Sequence, residues 1–437
     1  MVLPNDFIEK YEQLLGAQAP AFFDSFQEEP VAGFRTNPLK ETQWSFDHKI
    51  EQMPWSYYGK VSGRSVEHVT GLVYSQEPAA QVVGQVAAPQ EGMKVLDLAA
   101  APGGKSTHLL SYLGNIGLLV SNEISKKRSK ILVENIERFG ARNVLVTNES
   151  AERLAGVFAD YFDMIILDAP CSGEGMFRKD PGAIDYWSSD YPSECAELQK
   201  EILRAAMEML APNGQLIYST CTWAPEENEE IVQWLLDHYE VELVDIPKIN
   251  GMVEGIGFSE TARMYPHLFK GEGQFVAKFQ YHGKKASSKK LKGNQSNLNR
   301  EQKQLWQEFS QGSLMFKAEG ILQVFGDELY LLPHGLPDIS KLRIARNGLH
   351  LGTFKKKRFE PSFALGLALR SDEVKYRVEI SEEDFFRYVA GQTLAVSTEL
   401  INGWYQVSVA GNGLGFAKVV SGTLKNSFPK GLRFSSK

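Results

Sequence analysis

Two cysteines are the residues of this chain best suited to covalent chemistry. Cys171 lies in the motif Asp-Ala-Pro-Cys-Ser-Gly, and Cys221 lies fifty residues further on in the motif Ser-Thr-Cys-Thr. Each follows a short apolar run that is typical of a buried strand. In an open α/β sheet, the loops at the carboxyl ends of the strands meet in one crevice where ligands bind. The pattern therefore predicts two thiols at one sheet edge, where a thiolate can act as a nucleophile.

A third apolar run, at residues 93–98, opens into the turn Ala-Ala-Ala-Pro-Gly-Gly-Lys at residues 99–105. Glycines let the backbone approach a ligand closely, and the N-terminus of a following helix favours a carboxylate or phosphate. A phosphate loop requires glycine six positions before the lysine, where Ala99 stands, and the dinucleotide fingerprint is absent as well. The turn disfavours nucleoside triphosphates and a nicotinamide-dependent oxidoreductase. It fits S-adenosyl-L-methionine, which offers a carboxylate and needs no pyrophosphate cradle.

An acidic residue, Glu123, ends the next strand in the sequence Val-Ser-Asn-Glu. At this position a carboxylate can accept hydrogen bonds from a ribose diol, as in other nucleoside-binding sheets. Alternatively, it caps a helix that starts near Ser125. Because the glycine turn lies beside it, we favour the ligand role.

Strands and helices alternate from Met93 onward, which predicts crossover units and a mainly parallel sheet. We expect the last strand, which alternates in polarity, to pair antiparallel at an edge of that sheet. The predicted strands lie near 93–98, 117–122, 143–147, 163–168, 214–220 and 273–281, and the predicted helices near 104–113, 125–139, 193–210 and 225–239.

The composition is typical of a globular chain of several domains, with 437 residues, 43% apolar and 23% charged. No apolar run approaches the roughly 18–20 residues of a membrane span, and the N-terminus lacks the features of a signal peptide. The three cysteines form no Cys-x-x-Cys pair, which argues against both a disulfide framework and a metal site. We therefore expect a cytoplasmic protein without metal or membrane partners.

The net charge of −7 conceals two regions of opposite sign. Residues 284–437 hold 24 basic and 14 acidic side chains, and residues 1–283 hold 23 and 40. A basic C-terminal region on an acidic body predicts a polyanionic partner, although a solvated surface explains the charge equally well. Residues 283–310 read as a basic linker because the segment begins polar and lysine-rich. Short strand-like runs follow it.

Several motifs together closely resemble the Nop/Sun family of RNA cytosine-5 methyltransferases. They are Asp-Leu-Ala-Ala-Ala-Pro-Gly-Gly-Lys at 97–105, Asp-Ala-Pro-Cys-Ser-Gly at 168–173, Tyr-Ser-Thr-Cys-Thr at 218–222 and Pro-Glu-Glu-Asn at 225–228. Further segments are similar to the RsmF-like bacterial branch, which modifies small-subunit ribosomal RNA. These segments lie at 33–40, 76–80, 178–181, 347–352, 358–362 and 425–433, so that the resemblance covers nearly the whole chain.

The resemblance implies a Rossmann-like class I methyltransferase core with an α/β N-terminal domain and small β-rich C-terminal modules. One of these modules is expected to be a PUA-like RNA-binding domain. The expected boundaries are 1–90 for the N-terminal domain, 91–282 for the core, 283–310 for the linker, 311–372 for the first C-terminal domain and 373–437 for the PUA-like domain.

Carbon 5 of cytosine is a poor nucleophile, and a thiolate that adds to carbon 6 turns it into a reactive enamine carbon. Spacing alone leaves open which cysteine attacks, and either one could be a buried structural thiol. The resemblance implies that Cys221 is the nucleophile and that Cys171 assists product release. It also places Asp168 beside both cofactor and target base, where a protonated carboxyl could act as a general acid.

The cofactor-binding residues that the resemblance implies are Ala99, Ala100, Ala101, Pro102, Gly103, Gly104, Lys105, Glu123 and Asp168. Lys105 could also approach the base, or be a solvated lysine of the first helical turn. The family commonly has an aspartate after the third strand, aimed at the adenine, where this chain has Glu149 and Ser150. Cys195 matches no motif, and we expect it to be structural.

The expected substrate is a cytosine of ribosomal RNA in the small ribosomal subunit, and the expected assembly is a monomer. The cluster Lys355–Arg358 is a candidate for phosphate contacts, or alternatively a solvated charge run. Transfer RNA remains an alternative substrate for the same chemistry. A non-catalytic ribosome assembly factor with an old cofactor fold is a second alternative, which the two intact cysteines disfavour.

Overall fold

A ten-stranded mixed sheet forms the centre of the computed structural model, which describes residues 2–284 and 293–435. The strands of the described residues are β1 (Gly33–Thr36), β2 (Ser56–Tyr58), β3 (Val73–Ser75), β4 (Lys94–Asp97), β5 (Leu118–Asn122), β6 (Val144–Thr147), β7 (Phe162–Asp168), β8 (Leu210–Thr220), β9 (Val241–Leu243), β10 (Val253–Gly255), β11 (Phe258–Met264), β12 (Gln274–Tyr281), β13 (Ile321–Phe325), β14 (Glu328–Leu332), β15 (Ile344–Asn347), β16 (Leu349–Lys355), β17 (Arg358–Pro361), β18 (Arg377–Glu379), β19 (Leu394–Ala395), β20 (Gly403–Val409), β21 (Asn412–Val420) and β22 (Thr423–Leu424).

Twelve α-helices accompany these strands within the same residues. They are α1 (Asn5–Leu15), α2 (Ala19–Ser25), α3 (Val66–Val69), α4 (Pro78–Ala87), α5 (Gly104–Leu113), α6 (Lys126–Phe139), α7 (Ala151–Phe158), α8 (Tyr191–Met209), α9 (Glu229–His238), α10 (Arg300–Ser313), α11 (Phe363–Ala368) and α12 (Glu382–Val389).

The central sheet has the strand order β10-β11-β12-β8-β7-β4-β5-β6-β15, with β9 paired to β12. The five strands from β8 to β6 run parallel, and β12 pairs antiparallel with β8. Leu96, Ile165 and Leu167 are fully buried in this sheet, and each such side chain contributes about 1.5–3 kcal/mol by its burial. The prediction of a Rossmann-like α/β core is confirmed.

Three details of the core differ from the prediction. The strand β12 pairs antiparallel as predicted, but it is not an edge strand because β11 pairs with its other side. The helix predicted at 225–239 begins instead as a 3-10 turn at Pro225–Glu227, and α9 starts only at Glu229. The short helix α7 was not predicted, although Leu154 and Phe158 pack its apolar face against the sheet.

The N-terminal region attaches to the core through aromatic side chains. Phe7 and Tyr11 of α1 and Phe22 of α2 are fully buried. They pack against Trp223, which lies two residues after Cys221, with ring centroids of Phe22 and Trp223 4.9 Å apart. Helix α1 therefore lies directly behind a cysteine loop. The strands β1, β2 and β3 form a separate antiparallel sheet.

The linker predicted at 283–310 is partly wrong. Residues 285–292 of that stretch lie outside the described residues. The helix α10 occupies the stretch from Arg300 onward, and Asn299 and Gln302 form a reciprocal capping box at its start. Trp306 and Phe309, three residues apart, pack onto the C-terminal sheet. This spacing and the capping box are helix signals within a polar segment, and they outweigh its charge.

The C-terminal region contains two further sheets. The strands β13-β14-β16-β17 form one of them, and β18-β20-β21-β22-β19 form the other, in the region where a PUA-like module was expected. Strand β15 leaves this region and pairs antiparallel with β6 of the core. Within residues 2–284 and 293–435, no helix is long and apolar enough to cross a membrane, and no side-chain cluster suits a metal ion.

Candidate active site

The carboxyl ends of β4, β5, β7 and β8 meet at one edge of the central sheet. These ends carry the glycine turn, Glu123, Asp168 with Cys171, and Cys221 respectively. Crossover connections place all the following loops on the same side of a parallel sheet. The structure thus brings together the residues singled out from the sequence.

The two thiols lie side by side, with the Sγ atoms of Cys171 and Cys221 3.3 Å apart. The hydrogen bond with Cys221 and burial, together with the charges of Glu227 and Asp168, raise the pKa of the Cys171 thiol well above its ordinary value. Both cysteines are reduced and partly exposed. A thiol that remains protonated at neutral pH therefore stands next to a second sulfur.

A buried carboxylate, Glu227, holds the loop that carries Cys171. It accepts hydrogen bonds from the backbone N–H of Ser172 at 3.0 Å and from Nε2 of Gln199 at 2.8 Å. Burial and the charge of Glu174, opposed by these hydrogen bonds, raise the pKa of Glu227 to about 7. Glu227 and Gln199, neither of which received a predicted role, therefore hold the loop in place.

A second buried carboxylate, Glu174, connects both cysteine loops to the N-terminal region. It accepts hydrogen bonds from the hydroxyl of Tyr11, from Nε1 of Trp187 at 3.0 Å and from Oγ1 of Thr222 at 2.7 Å. The backbone N–H of Gly175 donates to the carbonyl of Cys221 at 2.9 Å. Added side-chain atoms at this glycine would lie 2.8 Å from that carbonyl oxygen, so glycine permits the close approach.

Asp168 forms an ion pair with Lys105 at 2.6 Å between Oδ2 and Nζ. Its other oxygen accepts hydrogen bonds from Ser219 Oγ at 2.7 Å and from Gln274 Nε2 at 3.2 Å. Burial alone would lower the pKa of Lys105. The negative charge of Asp168, together with Cys221, outweighs burial, and the pKa is raised. The lysine is therefore a cation inside the site, and the solvated alternative is wrong.

The glycine turn has the shape expected of a ligand cradle. Gly103 has φ of 118°, in the region that favours glycine, and the backbone enters α5 directly after it. The buried guanidinium of Arg35 holds the turn by donating to the carbonyl of Gly104 and to Thr107, both at 2.8 Å. The N-terminus of a ten-residue helix thereby faces the same edge as the cysteines.

Asp97, a buried acid that begins the motif at 97–105 but received no predicted role, lies just before this turn. Its Oδ2 accepts a hydrogen bond from Ser106 at 2.6 Å, whereas its Oδ1 has no partner within the described part of the chain. Burial, reinforced by the charge of Asp168, raises the pKa of Asp97 to about 7. A buried, unpartnered carboxylate oxygen calls for a donor from a ligand.

Glu123 is almost fully buried at the end of β5. Its Oε1 accepts a hydrogen bond from the backbone N–H of Ser125 at 2.8 Å, and Arg128 lies 3.5 Å from its Oε2. Ser125, not Glu123, caps α6 by accepting from the N–H of Arg128. A ribose role for Glu123 stays a prediction.

Glu149, one of the two residues expected near the adenine position, is engaged with the C-terminal region. Glu149 is fully buried, and its carboxylate accepts hydrogen bonds from the backbone and side chain of Arg343 and pairs with Arg153. Burial alone would raise the pKa of Glu149, but Arg343 and Arg153 outweigh burial, and the pKa is lowered. Ser150 makes no side-chain cap on α7. The sequence carried no signal for this contact with a residue of the C-terminal region.

Cys195 is buried on α8 and is not one of the paired thiols. Burial raises the pKa of its thiol to about 11, which makes it a poor nucleophile at neutral pH. This agrees with a structural role.

Comparisons with known proteins match the chain to one group along most of its length. Its residues 84–280 match the family model of the 16S rRNA methyltransferase RsmB/F. Residues 3–78, 307–369 and 375–434 match the models of the N-terminal domain, the first C-terminal domain and the PUA domain of the RsmF methyltransferase.

Curated relatives are similar over nearly the full chain. The ribosomal RNA small subunit methyltransferase F of Shewanella loihica is 32% identical over 94% of this chain and 91% of its own length. The protein of the same name from Escherichia coli is 32% identical over 85% of this chain and 80% of its own length.

Two solved structures from Pyrococcus horikoshii share the fold. A methyltransferase homolog protein superposes with a TM-score of 0.56 and 29% identity over 63% of this chain and 94% of its own. NSun6 with SFG superposes with a TM-score of 0.55 and 23% identity over 64% of this chain and 98% of its own.

Proposed function

The chain belongs to the family of ribosomal RNA small subunit methyltransferases F, and from this premise we propose that it methylates carbon 5 of a cytosine in small-subunit ribosomal RNA. As a member of this family it is a ribosomal RNA methyltransferase that depends on S-adenosylmethionine. The observation that carries the proposed chemistry is the pair of sulfur atoms 3.3 Å apart at the edge of the sheet. We also propose that it acts in the cytoplasm, where ribosomes are assembled.

The residues around the glycine turn fit S-adenosylmethionine, which supplies an electrophilic methyl group when bound. The N–H groups at the start of α5, after Gly103, suit its carboxylate. The unpartnered oxygen of Asp97 suits its ammonium group, and Glu123 suits the ribose diol. Each group then meets a partner of complementary charge or hydrogen-bonding capacity.

Cys221 is proposed as the nucleophile. Its thiolate forms a bond to carbon 6 of cytosine, and the electrons of the ring double bond make carbon 5 able to take a methyl group. The ammonium of Lys105 interacts electrostatically with Cys221, so a cation is placed within the electrostatic reach of the proposed nucleophile. Loss of the proton from carbon 5 then expels the thiolate and restores the ring.

Cys171 is proposed to assist release of the product. Because the hydrogen bond with Cys221 and burial raise the pKa of its thiol, Cys171 stays protonated, and it can donate its S–H to the neighbouring sulfur. Two negatively charged sulfurs at this distance would repel each other. The asymmetry supports different roles for two cysteines that the sequence alone left equivalent.

Lys105 is the better candidate for a donor to the cytosine ring. The carboxylate of Asp168 accepts three hydrogen bonds, from Lys105, Ser219 and Gln274, and this pattern suits an ionised acid. We therefore propose that Asp168 acts here as a hydrogen-bond acceptor and not as the general acid. It orients the ammonium of Lys105, which can stabilise negative charge that develops on the base.

The C-terminal region is proposed to capture the RNA. Its net charge of +10 follows from 24 basic and 14 acidic residues, and the four cations Lys355–Arg358 are exposed in the turn between β16 and β17. Phosphate contacts position a nucleic acid without reading its sequence. They help to offset the few kcal/mol needed to unstack the target base.

A methyl-transfer assay tests the proposed function. The full chain is incubated with labelled S-adenosylmethionine and either unmethylated small subunits, naked small-subunit RNA or transfer RNA, and the label is mapped. We expect label on carbon 5 of cytosine in the small-subunit RNA. Label confined to transfer RNA would show that transfer RNA is the substrate. RNA binding without any label would favour a non-catalytic assembly factor.

A further inference from the structure

One strand of the C-terminal region completes the core sheet. Strand β15 lies in sequence between β14 and β16, yet it pairs antiparallel with β6 in the register Ile344↔Thr147 and Asn347↔Leu145. Arg346, fully buried, donates from Nη2 to the carbonyl of Ala141 at 2.9 Å. We call residues 342–347 the C-terminal arm. The arm covers what would otherwise be an open edge of the sheet, next to β6.

The arm is fastened at the carboxyl end of β6, on the cofactor side of the site. The backbone N–H of Arg343 donates to Oε1 of Glu149 at 2.7 Å, and its Nη2 donates to Oε2 at 2.9 Å. Arg153 contacts Oε2 at 2.9 Å. Both oxygens of this buried carboxylate therefore accept hydrogen bonds or ion pairs from arginines of the protein itself.

A continuous chain of hydrogen bonds runs from the arm to the loop that carries Glu123. The N–H of Asn148 donates to the carbonyl of Arg343 at 2.9 Å. The side-chain amide of Asn148 donates to the carbonyls of Glu123 at 2.7 Å and Ile124 at 2.9 Å. One residue thus joins the arm directly to the proposed ribose-binding loop.

A second branch reaches the glycine turn. The side chain of Asn122 accepts from the N–H of Glu149 at 3.1 Å and donates to the carbonyl of Glu149 at 2.9 Å. The same amide donates to the carbonyl of Leu98 at 3.2 Å, immediately before the turn at 99–105. These amide side chains are buried, and buried networks whose members are all paired hold loops in one arrangement.

We propose that Arg343 is a positioning residue for the cofactor, acting through Glu149 and Asn148 on the Glu123 loop. In this chain the carboxylate of Glu149 anchors the C-terminal arm, and it does not bind the cofactor. The affinity for S-adenosylmethionine then depends on a residue 220 positions away from Glu123 in the sequence. This inference rests on the proposed function, because it requires that S-adenosylmethionine is the cofactor.

Calorimetric titration of the full chain with S-adenosylmethionine tests the inference. Arg343→Ala removes the Nη2 contact but keeps the backbone contacts to Glu149 and Asn148, and we expect it to raise the Kd about 5- to 10-fold. Arg343→Lys should restore part of the affinity through a side-chain contact to Glu149. Arg387→Ala is the matched control, since Arg387 forms an exposed ion pair with Asp384 on α12. This control should leave the Kd unchanged.

Kinetics distinguish positioning from a loss of folded protein. Arg343→Ala should raise KM for S-adenosylmethionine while kcat at saturating cofactor stays within about twofold, whereas partial unfolding lowers kcat and the binding stoichiometry. Glu149→Gln is the second variant, in case Arg343→Ala does not fold. Its amide nitrogen cannot accept a hydrogen bond from Arg343, so the Kd should rise here as well.

A wild-type Kd in folded Arg343→Ala or Glu149→Gln would overturn the inference. A rise equal to that of Arg387→Ala would do the same. Wild-type protein that does not bind S-adenosylmethionine would overturn both this inference and the proposed function. Wild-type protein that binds the cofactor without methylating cytosine would overturn the proposed function alone.

Discussion

The site has two sides. The thiol side consists of the loops that carry Cys171 and Cys221, and the cofactor side consists of the turns after β4, β5 and β6. The two sides differ in how their buried polar groups find hydrogen-bond partners. On the thiol side, the buried carboxylates of Glu174 and Glu227 accept hydrogen bonds from both loops. On the cofactor side, one oxygen of Asp97 is buried without a partner in the described part of the chain. Buried polar groups are ordinarily paired.

The difference shows which part of the site exists before ligands arrive. The thiol side is held in place by the protein itself, so the distance between the sulfurs does not require the substrate. The cofactor side keeps an open acceptor that a bound cation would satisfy. Variants on the two sides should therefore fail in different ways, in the rate of transfer on one side and in cofactor affinity on the other.

The largest effect is expected on the thiol side. Cys221→Ala removes the proposed nucleophile, so methyl transfer should fall on the order of 10⁴-fold or more. Affinity for S-adenosylmethionine, measured by calorimetry, should stay within about twofold of wild type. Cys195→Ala is the matched control and should retain transfer. A large loss of cofactor affinity in Cys221→Ala would show that the two sides are not separable.

A smaller loss of rate is expected where the two sides meet. Lys105→Met removes the ammonium that pairs with Asp168, so kcat should fall about 10²- to 10³-fold. Single-turnover kinetics with bound RNA measure this loss. The exposed Lys130 on α6 provides the control Lys130→Met, which should behave as wild type. Equal rates for both variants would exclude electrostatic assistance by Lys105.

The affinity for the cofactor should depend on pH through Asp97 on the cofactor side. With a pKa of about 7 in the free protein, Asp97 is increasingly protonated below pH 7 and then loses its attraction for an ammonium group. The Kd for S-adenosylmethionine should rise by up to about tenfold per pH unit between pH 7 and pH 5. Calorimetry across this range measures it.

Asp97→Asn tests the assignment of that pH dependence. This variant should bind about tenfold more weakly at pH 8 than wild type and should lose most of the dependence below pH 7. Glu123→Gln should retain the dependence. An Asp97→Asn variant that keeps the full pH dependence would place the titrating group elsewhere.

The smallest effect concerns the attachment of the N-terminal helix to the thiol side. Tyr11→Phe deletes the hydroxyl that donates to Glu174, and the free energy of unfolding should fall by about 1–2 kcal/mol. Urea unfolding measures this change. Tyr186→Phe is the control because Tyr186 is exposed. Unchanged stability in Tyr11→Phe would show that α1 does not brace the cysteine loops.

The parts of the fold that were predictable are those with local signals. Apolar runs followed by polar loops identified β4, β5, β7 and β8, and this placed Cys171 and Cys221 at one sheet edge. A strand buried on both faces is nearly all apolar, so its pattern is visible in sequence. The helix α10 was missed because lysine and glutamine dominate its neighbourhood, although its cap and aromatic spacing were present.

The parts that were not predictable depend on contacts between distant segments. Nothing in the sequence near Tyr11 indicates that its hydroxyl meets Glu174, 163 residues away. Arg343 and Glu149 lie 194 residues apart, and β15 is only four residues long. A glutamate that becomes buried reads like any surface glutamate until the fold supplies its partners.

Formation of a covalent protein–RNA complex tests the central claim most directly. The variant Cys171→Ala, incubated with S-adenosylmethionine and unmethylated small-subunit RNA, should accumulate an adduct that survives denaturing electrophoresis, because Cys221 attacks but release is impaired. The double variant Cys171→Ala/Cys221→Ala should form none. Normal turnover by Cys171→Ala without an adduct, or an adduct that persists in the double variant, would contradict a bond between Cys221 and cytosine.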